Sequence, residues 1–147
     1  MPERFLGIDT SNYRTSAAIY NAETGEWVNR GGLLTVPEGA IGLRQSDALF
    51  QHTVRLHEKI EALPQGEVRA IGVSTRPRAV EGSYMPCFLA GESVARSAAH
   101  LLSVPLLPCL ISRDISRRLR CRLASWICLT ASSWRGTCPA ARASCCM

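Results

Sequence analysis

Phe5-Leu6-Gly7-Ile8-Asp9-Thr10-Ser11, followed closely by Thr15-Ser16-Ala17-Ala18-Ile19-Tyr20, is the stretch that decides the fold. Phe5, Leu6 and Ile8 make a short apolar run broken only by Gly7, the length of a buried strand. Asp9 ends that run where a strand would leave its sheet. Asn12, Tyr13 and Arg14 form a polar turn, and Ala17 to Tyr20 supply a returning strand with Ile19 and Tyr20 as its strand formers. Such a hairpin is suited to phosphate or metal. The turn's N–H groups and the hydroxyls of Thr10 and Ser11 can meet phosphate oxygens, and the carboxylate can hold a cation or a water. A plainer reading stands beside it, because Asp also ends strands simply by capping turns.

The rest of the first part continues the pattern. Glu26 to Val36 reads as a third strand with Trp27, Val28, Leu33 and Leu34 as apolar members, interrupted at Gly31-Gly32 by a bulge or bend. Leu43, Leu49, Phe50, Val54, Leu56, Ile60 and Leu63 recur at steps near three and four, which predicts an amphipathic helix over 43–63, stopped by Pro64-Gln65-Gly66. Val68 to Thr75 is a short strand. Residues 76–83 are a loop, with Ser83 as a helix N-cap, and Met85 to Leu102 is a second helix rich in small residues. Pro105-Leu106-Leu107-Pro108 opens a last strand. The order β-β-β-α-β-α-β predicts an α/β layer on a mixed sheet.

The chain has 147 residues, room for about one domain with a real core. No run of roughly 18 apolar residues occurs, and no apolar signal region follows Met1-Pro2-Glu3-Arg4, so a cytoplasmic protein without a membrane partner is expected. A net charge of +5 points first to nucleic acid, but its distribution does not. Residues 1–109 carry ten Lys and Arg against eleven Asp and Glu, whereas 110–147 carry seven Arg and the single acid Asp114. The second part also holds five of the seven cysteines and two of the three tryptophans, with no Lys, Glu or His. Two compositions meet near Cys109.

Gly7-Ile8-Asp9-Thr10-Ser11 with Thr15-Ser16, and then Pro77, Gly82-Ser83, Gly91, Ala95 and Pro105-Leu106 after a strand, resemble the glycoprotease-like (Gcp) family, which includes the tRNA threonylcarbamoyladenosine synthases. The resemblance covers about residues 4–108. It implies the N-terminal lobe of an actin-like ATPase fold (ribonuclease-H-like), with a nucleotide cleft between two lobes. It further implies transfer of a threonylcarbamoyl group to a tRNA adenosine, with a divalent metal held by a His-x-x-x-His pair and a distant Asp. Asn12-Tyr13-Arg14 stands where the family has an acidic pair, and Arg76-Pro77-Arg78 replaces its Gly-Pro-Gly turn, the marks of a divergent subgroup with an open substrate. The metal pair would follow Pro108, where this chain has Leu110-Ile111-Ser112-Arg113-Asp114-Ile115.

Arg, Cys, Ser and Trp without Lys or Glu is the composition of GC-rich coding DNA read out of frame. Moved by one base, synonymous codons for Leu110 to Ile115 permit His-Gln-Gln-Gly-His, and Cys138 to Arg142 permit Ser-Gly-Gly-Thr. Residues 110–147 are therefore expected to be frameshifted, ill-ordered or only locally helical, and outside the lobe 1–109. On this reading the chain retains no metal and is inactive alone. Competing readings of this part are weaker. Its first four cysteines are separated by six, nine and six residues, unlike the two-to-four-residue gap of zinc ligands. Disulfides do not suit a chain without an export signal, and its arginines could touch RNA or simply be solvated.

Among the remaining candidates, His52 and His57 lie roughly 140° apart on a helix, so one metal is hard for both to reach, and they are expected on a solvated face. Arg76 and Arg78 flank a turn at a strand's C-terminal mouth, where α/β sheets bind ligands, and are read as facing phosphate or RNA or as a solvated loop. Ser83 opens a helix whose N-terminus could attract an anion or merely be capped. Cys87 is expected as a buried thiol. The nucleotide- or phosphate-facing candidates are thus Asp9, Thr10, Ser11, Arg76, Arg78 and Ser83, with no catalytic residue assigned. Three functions remain open at this point: an inactive piece of a glycoprotease-like enzyme, a lobe that binds a nucleotide or family partner without catalysis, and part of another actin-like ATPase or small-molecule kinase.

Overall fold

Strand β1 (Arg4–Asp9) carries four consecutive buried residues, Phe5 to Ile8, and occupies the middle of the molecule. The computed structural model describes residues 3–78 and 81–110. β2 (Arg14–Asn21) returns antiparallel to β1, and β3 (Trp27–Leu33) pairs antiparallel with β2. Helix α1 (Gln45–Glu61), β4 (Ala70–Arg76), α2 (Phe88–Leu101) and β5 (Leu106–Leu110) complete the chain order. Among the described residues the sheet has five strands in the order β3-β2-β1-β4-β5, with β4 parallel to both β1 and β5. This is the mixed α/β sheet that the sequence pattern predicts. Among the described residues no helix is long and apolar enough to cross a membrane.

Both helices lie on one face of the sheet. Leu6, Ile8, Ala17, Ile19, Ile71 and Val73 present that face, and Leu56 of α1 with Ala95 and Ala99 of α2 pack onto it as one core. The alternation of a strand puts Phe5 and Ala70 on the opposite face, where Tyr20, Ala22 and Leu107 pack around them. α2 sits close to β1 because Gly91 has no side chain: a Cβ there would come within 2.8 Å of Thr10 Oγ1 and 3.2 Å of Ile8 Cγ2.

The structure corrects four local expectations. First, Gly31-Gly32 does not interrupt β3, whose register with β2 runs unbroken from Trp27 to Leu33. The Arg14 guanidinium lies against Gly31 and the Lys59 side chain against Gly32, filling the space that side chains would take. Second, α2 starts at Phe88 with Cys87 as N-cap, so Ser83 caps no helix. Pro86 is the reason: it restrains Met85 from helical backbone, and the chain enters the helix through tight turns from Met85 to Phe88 and Pro86 to Leu89. Third, α1 presents Ala48, His52 and Leu56 to the core, while Phe50 and Val54 are exposed. Fourth, His52 is fully buried rather than solvated, and only His57 faces outward.

α1 also fastens the chain beyond β3. The Gln51 carboxamide donates to the Thr35 carbonyl at 2.9 Å and accepts from the Thr35 N–H at 2.8 Å, as a neighbouring strand would. Arg55 donates to the Leu33 carbonyl and the Thr35 hydroxyl. β5 includes Leu110, one residue past the expected boundary of the lobe. The Arg- and Cys-rich segment, with Asp114, Trp126, Trp134 and the cysteines from Cys121 onward, otherwise lies outside the described residues.

Candidate functional site

β1, β4 and β5 run parallel, so their C-terminal ends open on one side of the sheet. Ligands collect at such mouths, because strand ends and the loops after them leave backbone donors free. Asp9 ends β1 there, half-buried. Its Oδ1 accepts from the Ser11 N–H at 2.9 Å, closing an Asx turn, and from the Ser74 hydroxyl at 2.6 Å. Oδ2 takes no hydrogen bond among the described residues. The carboxylate is therefore fixed in direction while one of its oxygens stays available.

Register builds a polar row around this group. Ser16 of β2 lies directly opposite Asp9, Ser74 of β4 bonds it from the other side, and Cys109 of β5 is the neighbour of Ser74. One step outward on β2, Arg14 is exposed, its guanidinium lying beside Gly31. Ser16, Ser74 and Arg14 are not among the site candidates read from the sequence. Their signal was weak: a serine inside a strand carries no mark of what it faces until the strand's neighbour is known.

The candidates read from sequence separate into two groups. Asp9 and Ser11 stand at the mouth, and Arg76 is exposed at the end of β4, after a register shift between Ser74 and Arg76. Arg78 is exposed in the following loop, and Ser83 is half-buried farther along it. Thr10 does not face the mouth. The strand alternation turns it to the helix face, where it is fully buried. Its hydroxyl donates to the Cys87 carbonyl at 2.9 Å and accepts from the Gly91 N–H at 3.2 Å. It thereby bridges the two groups that the first i→i−4 bond of α2 would join, and pins that helix to β1.

The turn after Ser11 is held from a different element. Asn12 adopts left-handed backbone with φ +56°, which Asn tolerates better than most residues. Its carbonyl meets His52 Nε2 at 3.1 Å, and His52 Nδ1 meets the Thr15 hydroxyl at 2.7 Å. A carbonyl can only accept, so Nε2 carries the proton and Nδ1 accepts from Thr15. Burial holds the imidazole's pKa below its ordinary 6.5, opposed by the Asn12 carbonyl and the charge of Asp9. Burial likewise raises the Cys87 thiol, opposed by backbone N–H groups of Asn12, Cys87 and Phe88. Cys87 is the expected buried thiol, and a protonated one.

Among the described residues no three of His, Cys, Asp and Glu come together as a ligand set. His52 has both ring nitrogens engaged, and His57 and His100 are exposed. Ser11, Arg76 and Arg78 lie on the mouth's side of the sheet.

No protein-family model matches the sequence, and no curated protein matches it. Solved structures do. A YeaZ structure from Pseudomonas aeruginosa superposes with a TM-score of 0.54 at 18% identity, over 82% of this chain and 49% of that one. An uncharacterized protein with similarity to peptidase YeaZ, from the same organism, gives 0.53 at 18%, over 80% and 47%. The chain thus spans about half the length of these neighbours and shares the YeaZ-like, ribonuclease-H-like α/β fold.

Proposed function

We propose that this chain is a nucleotide-phosphate-binding lobe of the glycoprotease-like kind, one side of a two-lobed cleft, without transferase activity of its own. The observation that carries the reading is Asp9, held by Ser11 and Ser74 at the mouth of three parallel strands. In this reading the Ser11 hydroxyl receives a phosphate oxygen, and Arg76 and Arg78 offset the charge. Asp9 keeps the turn in shape through Oδ1 and positions a water through Oδ2.

The fold shared with YeaZ supports the kinship. Threonylcarbamoyl transfer to tRNA, with its metal and cytoplasmic setting, belongs in this proposal to two-lobed relatives. A half-cleft lacks both the opposing contacts and the exclusion of water on which transition-state stabilisation depends. The composition of residues 110–147 enters as out-of-frame sequence, a point that sequencing the coding DNA tests directly.

Calorimetric titration of the full chain with ADP tests the site. Arg76→Ala is expected to weaken binding by about tenfold, the worth of one charge-assisted contact. Asp9→Ala is expected to weaken it comparably by freeing the Ser11 turn. Equal affinity in both variants and the parent chain would place any nucleotide elsewhere and defeat the reading.

A further inference from the structure

The Ser11–Asn12 turn that forms the phosphate side of the mouth is not shaped by its own hairpin alone. Its Asn12 carbonyl is held by an imidazole arriving from α1, a helix 40 residues farther along the chain. His52 and Thr15 are both fully buried, so no water competes for the bond between them, while the bond to the Asn12 carbonyl is part-buried. We propose that His52 is the positioning residue of this site, its neutral imidazole keeping the Ser11–Asn12 turn ready for phosphate, so that acid releases the turn and lowers nucleotide affinity. The proposal rests on the phosphate reading above and adds its regulation.

The chemistry follows from the two bonds. Neutral His52 donates from Nε2 to the Asn12 carbonyl and accepts at Nδ1 from the Thr15 hydroxyl. Once protonated, both nitrogens donate, and the Thr15 hydrogen must swing away into a site with no solvent. The arrangement that satisfies every partner exists only for the neutral ring. Of the groups around it, Asp9 of β1 is the one whose charge favours the cation. Cys87, packed with Ala48 of α1, is held neutral by burial. Thr15 of β2 and Asn12 of the turn offer only a hydroxyl and a carbonyl. On α1 itself, Arg55 is turned away to the Leu33 carbonyl and the Thr35 hydroxyl.

His52→Gln separates position from titration. A carboxamide can donate to Asn12 and accept from Thr15, yet has no proton to gain. The experiment follows ADP affinity of the full chain, and the backbone amide NMR shifts of Asn12 and Tyr13, from pH 7.5 downward while circular dichroism shows the fold intact. In the parent chain affinity is expected to fall by up to about tenfold per pH unit once the ring protonates, with both amides moving along the imidazole's own titration. In His52→Gln the affinity at pH 7.5 should stay within about threefold of the parent, and only the nucleotide's own titration should remain. His52→Phe, which fills the space without bonds, should bind several-fold more weakly at every pH. Identical pH profiles for the parent and His52→Gln, or turn amides that ignore the imidazole, would overturn the proposal. If ADP binds at no pH while the amides still follow His52, the phosphate reading falls and the positioning of the turn stands.

Discussion

His52 shows how much a single buried residue can set. Its folded-state pKa lies below 6.5, so the unfolded chain takes up the proton first as pH falls. Stability should be flat above about pH 6.5 and decline below it, with a slope of up to about 1.4 kcal/mol per pH unit. The loss should level off once the folded ring is protonated too. Urea denaturation at pH 7.5 and at successively lower pH checks this, and His52→Gln should remove that component of the slope. Gly91 is the second decisive residue. A methyl group there meets the Thr10 hydroxyl at 2.8 Å, and β1 beneath it cannot yield cheaply. Gly91→Ala should therefore destabilise by about 1–3 kcal/mol, despite alanine's better helix propensity.

At the scale of elements, α1 and β3 carry the tests. α1 has Arg44 as N-cap in extended backbone, with no side-chain cap bond. Arg44→Asp should supply one and raise stability by about 1 kcal/mol, read as a higher midpoint in thermal unfolding. On the same helix Leu56→Ala should cost about 2–5 kcal/mol, whereas Phe50→Lys should stay within about 0.5. That contrast would confirm which face meets the sheet. β3 is an edge strand, and the bonds from Asn21 to Glu26 and from Leu34 to Tyr13 set its phase. With the register sum those bonds define, Val28, Arg30 and Gly32 point their N–H groups at β2, while Asn29 and Gly31 point theirs outward. Hydrogen exchange should accordingly be fast at Asn29 and Gly31 and slower at Val28, Arg30 and Gly32. The carbonyls of Asn29 and Leu33 on that open edge are covered by Arg30 and Arg55, which blunts it against further strands.

For the whole molecule, the central position of β1 and β4 predicts a gradient of stability. Both strands are paired on two sides and packed under the helices, so Leu6, Ile8, Ile71 and Val73 should exchange only through global unfolding. β3, exposed along most of its length, should exchange through local opening. Native-state hydrogen exchange measures both in one experiment. Equal protection across the five strands would contradict this ordering.

The sequence by itself determined the element order, the mixed sheet and the hairpin carrying Asp9 and Ser11, because apolar periodicity and turn chemistry act between near neighbours. It also exposed the change of composition near Cys109, a matter of counting. The tertiary structure alone decided the rest. A helical period says which residues share a face but not which face meets the sheet, so exposed Phe50 and Val54 looked like core while His52 looked solvated. Strand alternation was legible, but which side received the helices was not, and that side turned Thr10 from a phosphate candidate into the anchor of α2. Ser74 reaches Asp9 only through the parallel register of β4 on β1, a pairing between residues 65 apart that no local pattern encodes. The site's geometry is set by such long-range pairings, and they are settled only when the whole sheet closes around β1.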